Sequence, residues 1–144
     1  MIKLICVGKI KEQYLKDLIN DYLKRINKYH KLDIIELKDS NIIDESKEIL
    51  KYVNSKDYII TMDINGNKLS SVELSKKIDN LLMNYSNITF IIGGSYGLHD
   101  DVKSVSNYSL SFSDLTFPHG LFRGLLLEQI YRSFKILNNE SNHK

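Results

Sequence analysis

The stretch YSLSFSDLTFPHGLFRGLLLEQIY, residues 108–131, decides how the chain is read. Tyr108 to Phe112 reads as a short apolar strand, and Ser113 to Thr116 as a polar, turn-rich loop. Then come Phe117, the chain's one proline at Pro118, His119 and a long apolar helix. The loop packs two hydroxyls, a carboxylate and large apolar side chains into a few positions. Such a segment serves either as a tight strand-to-helix connection, with Pro118 in the helix's first turn, or as an apolar and hydrogen-bonding wall around a small ligand.

Upstream, apolar runs alternate with helical periodicity. Ile2 to Val7 is a nearly continuous apolar run ending at Gly8, as a strand buried on both faces requires. Lys9 to Tyr29 carries a helical stripe of Tyr14, Leu18, Tyr22 and Ile26, with Leu15, Ile19 and Leu23 beside it. Leu32 to Leu37 predicts a second strand. A short helix through Val53 follows, with Asp44 as its expected N-cap. Asp57 to Ile64 predicts a third strand, closed by a turn at Asn65-Gly66-Asn67. Ser70 or Ser71 caps the next helix, with Glu73 in its first turn. Leu74, Ile78, Leu81 and Leu82 form its apolar face. Asn87 to Ile92 is a fourth strand that runs into Gly93-Gly94-Ser95-Tyr96-Gly97, and a brief helix begins near His99 to Asp101.

This alternation predicts an α/β fold in one domain, residues 1–144, with a parallel sheet flanked by helices. Open sheets of this class bind ligands beyond the carboxyl ends of their strands. Three turn-like segments meet that description: Met62 to Gly66, Gly93 to Gly97, and Phe112 to Phe117.

Bulk properties narrow the function. Apolar content of 42% and charged content of 26% over 144 residues are ordinary for a globular domain. The single cysteine, Cys6, excludes an intramolecular disulfide framework and, within its apolar run, reads as a buried small hydrophobe. The N-terminus lacks the pattern of a signal peptide. No run approaches the roughly 18 apolar residues that span a bilayer. A cytoplasmic protein with no membrane segment is expected. Net charge is +2, but residues 1–31 hold eight Lys/Arg against three Asp/Glu, which fits either a solvated helix face or phosphate contact. The four histidines are scattered and Cys6 has no cysteine partner, so no metal site is expected. The glycines at 93, 94 and 97 match neither a P-loop nor the dinucleotide fingerprint, and no GxSxG elbow is present.

Several motifs then occur in one order: Val7-Gly8-Lys9, Thr61-Met62-Asp63-Ile64 with Gly66, GGSYG followed by Leu98, and SLSFSDLTFPH. Arg123, Leu126, Glu128-Gln129, Tyr131-Arg132 and a terminal His143-Lys144 complete the series. In this order and spacing, over essentially the whole chain, the sequence resembles the SPOUT-class ribosomal RNA large subunit methyltransferase H family. The resemblance implies a minimal enzyme that methylates N3 of a pseudouridine in 23S rRNA. It also implies a C-terminal trefoil knot, an exception to the usual avoidance of threaded chains, and a homodimer acting on the ribosome. S-adenosylmethionine would then contact Met62, Gly93, Phe112, Ser113, Asp114, Leu115, Thr116 and Phe117. Arg123, His143 and Lys144 would position the nucleotide and help remove or stabilise its charge. His119 would be an N-terminal structural or ligand-wall residue, and Arg132 would pair with Glu128.

Two features depart from the family pattern. Ser141 and Asn142 stand where relatives usually carry Pro-Tyr before the final histidine, and the segment between the second and third strands is short. A non-catalytic RNA- or ribosome-binding module that keeps the fold is the alternative reading, and the altered tail is what supports it.

Overall fold

Two strands whose side chains are all buried except the partly exposed Lys3 form the middle of the molecule. In the computed structural model, which describes residues 1–140, β1 (Ile2–Val7) and β4 (Ile88–Ile92) lie side by side and are buried along almost their whole length. β2 (Leu32–Leu37) pairs with the outer side of β1. β3 (Tyr58–Lys68) pairs with the outer side of β4, and β5 (Tyr108–Ser111) with β3. All pairings are parallel, in the order β2-β1-β4-β3-β5. The edge strand β2 shows its position in its sequence: Leu32 and Leu37 are buried while Asp33 and Glu36 face outward.

Alternation along each strand sends side chains to two cores. Ile2, Leu4 and Cys6 point to one face, covered by α1 (Gln13–Asn27), α3 (Ser71–Asn84) and α5 (His119–Leu137). Ile5 and Val7 point to the other, covered by α2 (Ile42–Lys51) and α4 (Asp100–Lys103). α5 lies between α1 and α3. Just past the end of α1 it stacks Phe134 on Tyr29 with centroids 5.7 Å apart. Gly124 lets the two helices close up, since a Cβ there would stand 2.7 Å from Leu18 Cδ2. Against α3, Ser71 Oγ donates to Gln129 Oε1 at 2.7 Å. Glu128 accepts from Arg132 at 2.9 Å, the pairing their spacing predicts.

Several local expectations need correction. α2 is capped by Asn41, whose side chain accepts from Asp44 N at 2.9 Å. Asp44 therefore sits in the first turn, where its charge complements the helix dipole. For α3 the cap is Ser70, in a reciprocal box with Glu73. α1 begins at Gln13 rather than Lys9, and Tyr14, on its first turn, is 70% exposed instead of joining the apolar stripe. β3 does not stop at Ile64. Met62 and Asn67 both pair with Leu110 of β5, so residues 63–66 form a bulge within a continuing strand. Gly66 fits there because a Cβ would come within 2.8 Å of the Ser109 backbone. An Asn-Gly-Asn sequence accommodates a bulge as readily as a turn.

At the other end of the sheet Asp57 ties three strands together. Its carboxylate meets Lys3 Nζ at 2.7 Å and accepts from Asn87 Nδ2 at 3.0 Å and Thr89 Oγ1 at 3.1 Å, with 1% of the side chain exposed. Burial alone would raise its pKa, but these three donors outweigh burial and hold it below the usual aspartate value. A carboxyl depressed in the fold stabilises above its unfolded pKa of about 3.9, and that stabilisation is lost as pH falls through the folded value. Asp57→Asn should lower stability by about 1–3 kcal/mol at neutral pH. It should also flatten the acid limb of a melting-temperature profile taken below about pH 5.

Candidate functional site

The C-terminal ends of β3, β4 and β5 surround a cavity of about 380 Å³. Met62 and the bulge residues Asp63 and Ile64 form one wall. Gly93 to Ser95, Gly97 and Leu98 form the second, and the segment after β5 the third. The three rims named from the sequence thus converge on one space. Of the eight residues assigned to the donor, Met62, Gly93, Phe112, Ser113, Leu115, Thr116 and Phe117 line it. Asp114 does not. It turns outward, 84% of its side chain exposed, and pairs with Lys68 Nζ at 2.6 Å. In a loop this tight, successive side chains cannot all face inward, and the charged one takes the solvent side.

The loop is fixed by its own hydroxyls. Ser111 Oγ donates to Ser113 O at 3.1 Å, and Ser113 Oγ accepts from Leu115 N at 3.0 Å. Behind it Phe122 packs on Phe112 and Phe117, with centroids 5.1 and 6.0 Å away. Leu115 stands at the mouth, 70% exposed. The second wall is all backbone at its closest point. A Cβ on Gly93 would lie 2.5 Å from Gly97 O, and Gly97 N donates back to Gly94 O at 3.0 Å. Gly97 adopts φ +76°, a conformation suited to glycine. Mostly apolar walls, four hydroxyl-bearing residues (Ser95, Ser111, Ser113 and Thr116) and one bare backbone segment suit a small molecule with both apolar and hydrogen-bonding parts.

A second cavity, of about 400 Å³, abuts the first and shares Gly94, Ser95 and His119 with it. Its remaining walls come from the β1–α1 loop, Asp39 beyond β2 and the first turn of α5. His119 therefore lies between the two spaces, consistent with a wall residue. The β1–α1 loop was missed as a rim, although the strand-end rule applies to β1 as well. The available signal was Gly8, which follows the strand directly and has φ +100°.

Arg123 lines this second cavity but is only 3% exposed. Its Nη1 donates to Glu36 Oε2 at 2.6 Å and its Nη2 to Gly8 O at 2.9 Å. Glu36 Oε2 also accepts from Ile10 N at 3.2 Å. The expected nucleotide-contacting cation is thus a buried brace between α5, β2 and the β1–α1 loop. The reason is its place on the sheet-facing side of α5, next to buried Gly124 and Leu127. His143 and Lys144 lie outside the described residues. Cys6 is buried, and desolvation, the largest influence, pushes its thiol up to about 11, so it is no nucleophile at neutral pH. Among the described residues no cluster of His, Cys, Asp and Glu could hold a metal ion. No helix among them is long and apolar enough to cross a membrane.

The site can be set beside known proteins. The family described as "Predicted SPOUT methyltransferase" matches residues 1–143. The ribosomal RNA large subunit methyltransferase H of Clostridium botulinum (strain Alaska E43 / Type E3) is 49% identical over 157 aligned positions, covering 99% of each chain. That of Clostridium acetobutylicum is 46% identical with the same coverage. The alignments run over 157 positions against 144 residues, so these relatives carry residues that this chain lacks. Among solved structures, a probable methylase family protein from Haemophilus influenzae Rd KW20 superposes with a TM-score of 0.56 at 10% identity, over 99% of this chain and 70% of that one. The TrmH/SpoU tRNA modifying enzyme of A. aeolicus gives 0.53 at 9% identity, over 95% and 77%. Both share the fold.

Proposed function

The chain belongs to the SPOUT methyltransferase family, and on that premise we propose that it methylates N3 of a pseudouridine in the 23S rRNA of the large ribosomal subunit. The observation that carries this reading is the convergence of three strand ends on one cavity, in a chain nearly half identical to proteins named for large-subunit rRNA methylation. S-adenosylmethionine is the donor and supplies a methyl group already activated on a sulfonium. Phe112, Leu115 and Phe117 offer it apolar walls, Ser113 and Thr116 offer polar groups, and Gly93 allows close approach to the backbone. With the methyl activated, the chain's own residues have two tasks. They align the acceptor nitrogen, and they take up the proton that nitrogen loses.

The protein works in the cytoplasm as a single domain, paired as a homodimer on the ribosome. α5 suits the pairing, since Leu121 is 37% exposed and Leu125 half-buried in the single chain. The chain returns from β5, at the sheet's edge, to α5, between α1 and α3, and this placement suits the threaded C-terminus that belongs to our reading. We assign His143 and Lys144 to the nucleotide on the strength of the family resemblance alone, whereas Arg123 positions the β1–α1 loop.

The deciding experiment incubates the purified protein with methyl-labelled S-adenosylmethionine and ribosomes from a strain lacking the modification. The digested RNA is then analysed by nucleoside. Label in N3-methylpseudouridine of the large-subunit rRNA is the expected result. Donor binding without label in any RNA would favour the non-catalytic module instead.

A further inference from the structure

The donor occupies one of two abutting cavities, which leaves the second without an assigned occupant. That second space has the makings of a site. It meets the donor cavity at Gly94, Ser95 and His119, so whatever fills it lies against the donor. Its floor is held in place, because Arg123 grips Gly8 O at 2.9 Å and Glu36 at 2.6 Å, and the buried Arg123 Nε has no hydrogen-bond partner among the described residues. Above that floor lies the Asp39 carboxylate, whose Oδ1 is 3.4 Å from where a Cβ on Gly8 would stand. Asp39 is exposed at the cavity's edge, and among the described residues no hydrogen bond or ion pair engages its side chain. At the rim Tyr14 presents an aromatic ring, 70% exposed.

We infer that this cavity receives a uracil-type base and that Asp39 accepts its imide proton. The inference rests on the activity proposed above and adds the acceptor side of the site. An imide N–H between two carbonyls has no lone pair free for attack until it gives up its proton. A carboxylate is the matching acceptor, Tyr14 a stacking surface, and the Lys9 ammonium, which lines the same space, a partner for a ring carbonyl. The proton passes to Asp39. The electron pair left on nitrogen forms the new N–C bond, while the C–S bond of the donor breaks and leaves its pair on sulfur. The methylated product has no imide N–H left to offer Asp39, which favours its release. Other charged groups facing this space are Lys9 and Glu12 from the β1–α1 loop and His119 and Arg123 from α5, with Glu36 behind Arg123.

The test combines binding and turnover. Pseudouridine 5′-monophosphate titrated into nitrogen-15-labelled protein should shift the amides of Gly8, Ser95 and Gly120, and the N3-methylated nucleotide should bind about tenfold more weakly. Asp39→Asn should leave donor affinity unchanged and slow single-turnover methylation of ribosomes by about 100-fold at neutral pH. The deficit should shrink as pH rises and the imide ionises without help. Nucleotide-induced shifts confined to other regions, or an Asp39→Asn rate equal to wild type at every pH, would overturn the assignment. The titration needs no turnover. Wild-type protein that binds the nucleotide at Gly8 and Gly120 yet methylates no RNA would therefore support the pocket and defeat the activity reading alone.

Discussion

Gly93→Ala should weaken S-adenosylmethionine binding by about 100-fold while leaving the chain folded. The added Cβ would lie 2.5 Å from Gly97 O and 2.7 Å from Gly97 C. Both atoms are backbone, so no rotamer change relieves the clash, and the turn must move off the end of β4. Overpacking of this kind costs about 1–3 kcal/mol, and every 1.4 kcal/mol is about a factor of ten in affinity. The cost falls on binding because the displaced segment, Gly93 to Gly97, is itself a wall of the donor cavity. Gly97→Ala separates strain from shape. Its Cβ would meet nothing within 4 Å, but its φ of +76° is unfavourable for alanine, so it should cost about 1–2 kcal/mol of stability and only a few-fold in affinity. Calorimetric titration of both variants decides the matter. Near-wild-type affinity in Gly93→Ala would remove this turn from the donor site.

What the sequence disclosed and what it concealed follow one physical division. Strand cores such as Ile2 to Val7 and Asn87 to Ile92 declare themselves because burial on both faces demands a nearly continuous apolar run, broken here only by Lys3 in the first and by Asn87 and Thr89 in the second. The three donor-side rims were legible because each follows such a run and carries glycine or a short polar loop. Other features depend on contacts between distant segments and leave little local trace. Asn65-Gly66-Asn67 looks like a turn, and only the Ser109 backbone against Gly66 makes it part of a bulged strand. Asp114 sits in a stretch otherwise committed to the cavity, yet Lys68, 46 residues earlier, draws it outward. Arg123 is a cation in an apolar helix, which reads as a functional group. Its partners Glu36 and Gly8 are 87 and 115 residues away in sequence.

That arginine yields the other large prediction. Arg123→Met should cost about 2–4 kcal/mol, somewhat less than the 3–5 typical when one partner of a buried pair is removed. The discount arises because the Glu36 side chain is 35% exposed and recovers some hydration once its partner is gone, whereas that of Arg123 is 4% exposed. For a chain of this size the loss corresponds to a fall in Tm of roughly 5–15 °C. Glu36→Gln keeps an acceptor for Ile10 N and the guanidinium, so it should cost less. The double variant should fall short of the sum of the two, as expected for groups that share one interaction. Donor affinity should survive in all three, because Arg123 lines the second cavity and not the first. Methylation should nevertheless drop, since freeing Gly8 and Ile10 loosens the wall against which the base is aligned. A fall in methylation with Tm and the amide shifts of Gly8 unchanged would instead make Arg123 a direct substrate contact. The present geometry opposes that outcome, because the side chain is 4% exposed and Glu36 and Gly8 O hold both terminal nitrogens, leaving only the buried Nε unpartnered among the described residues.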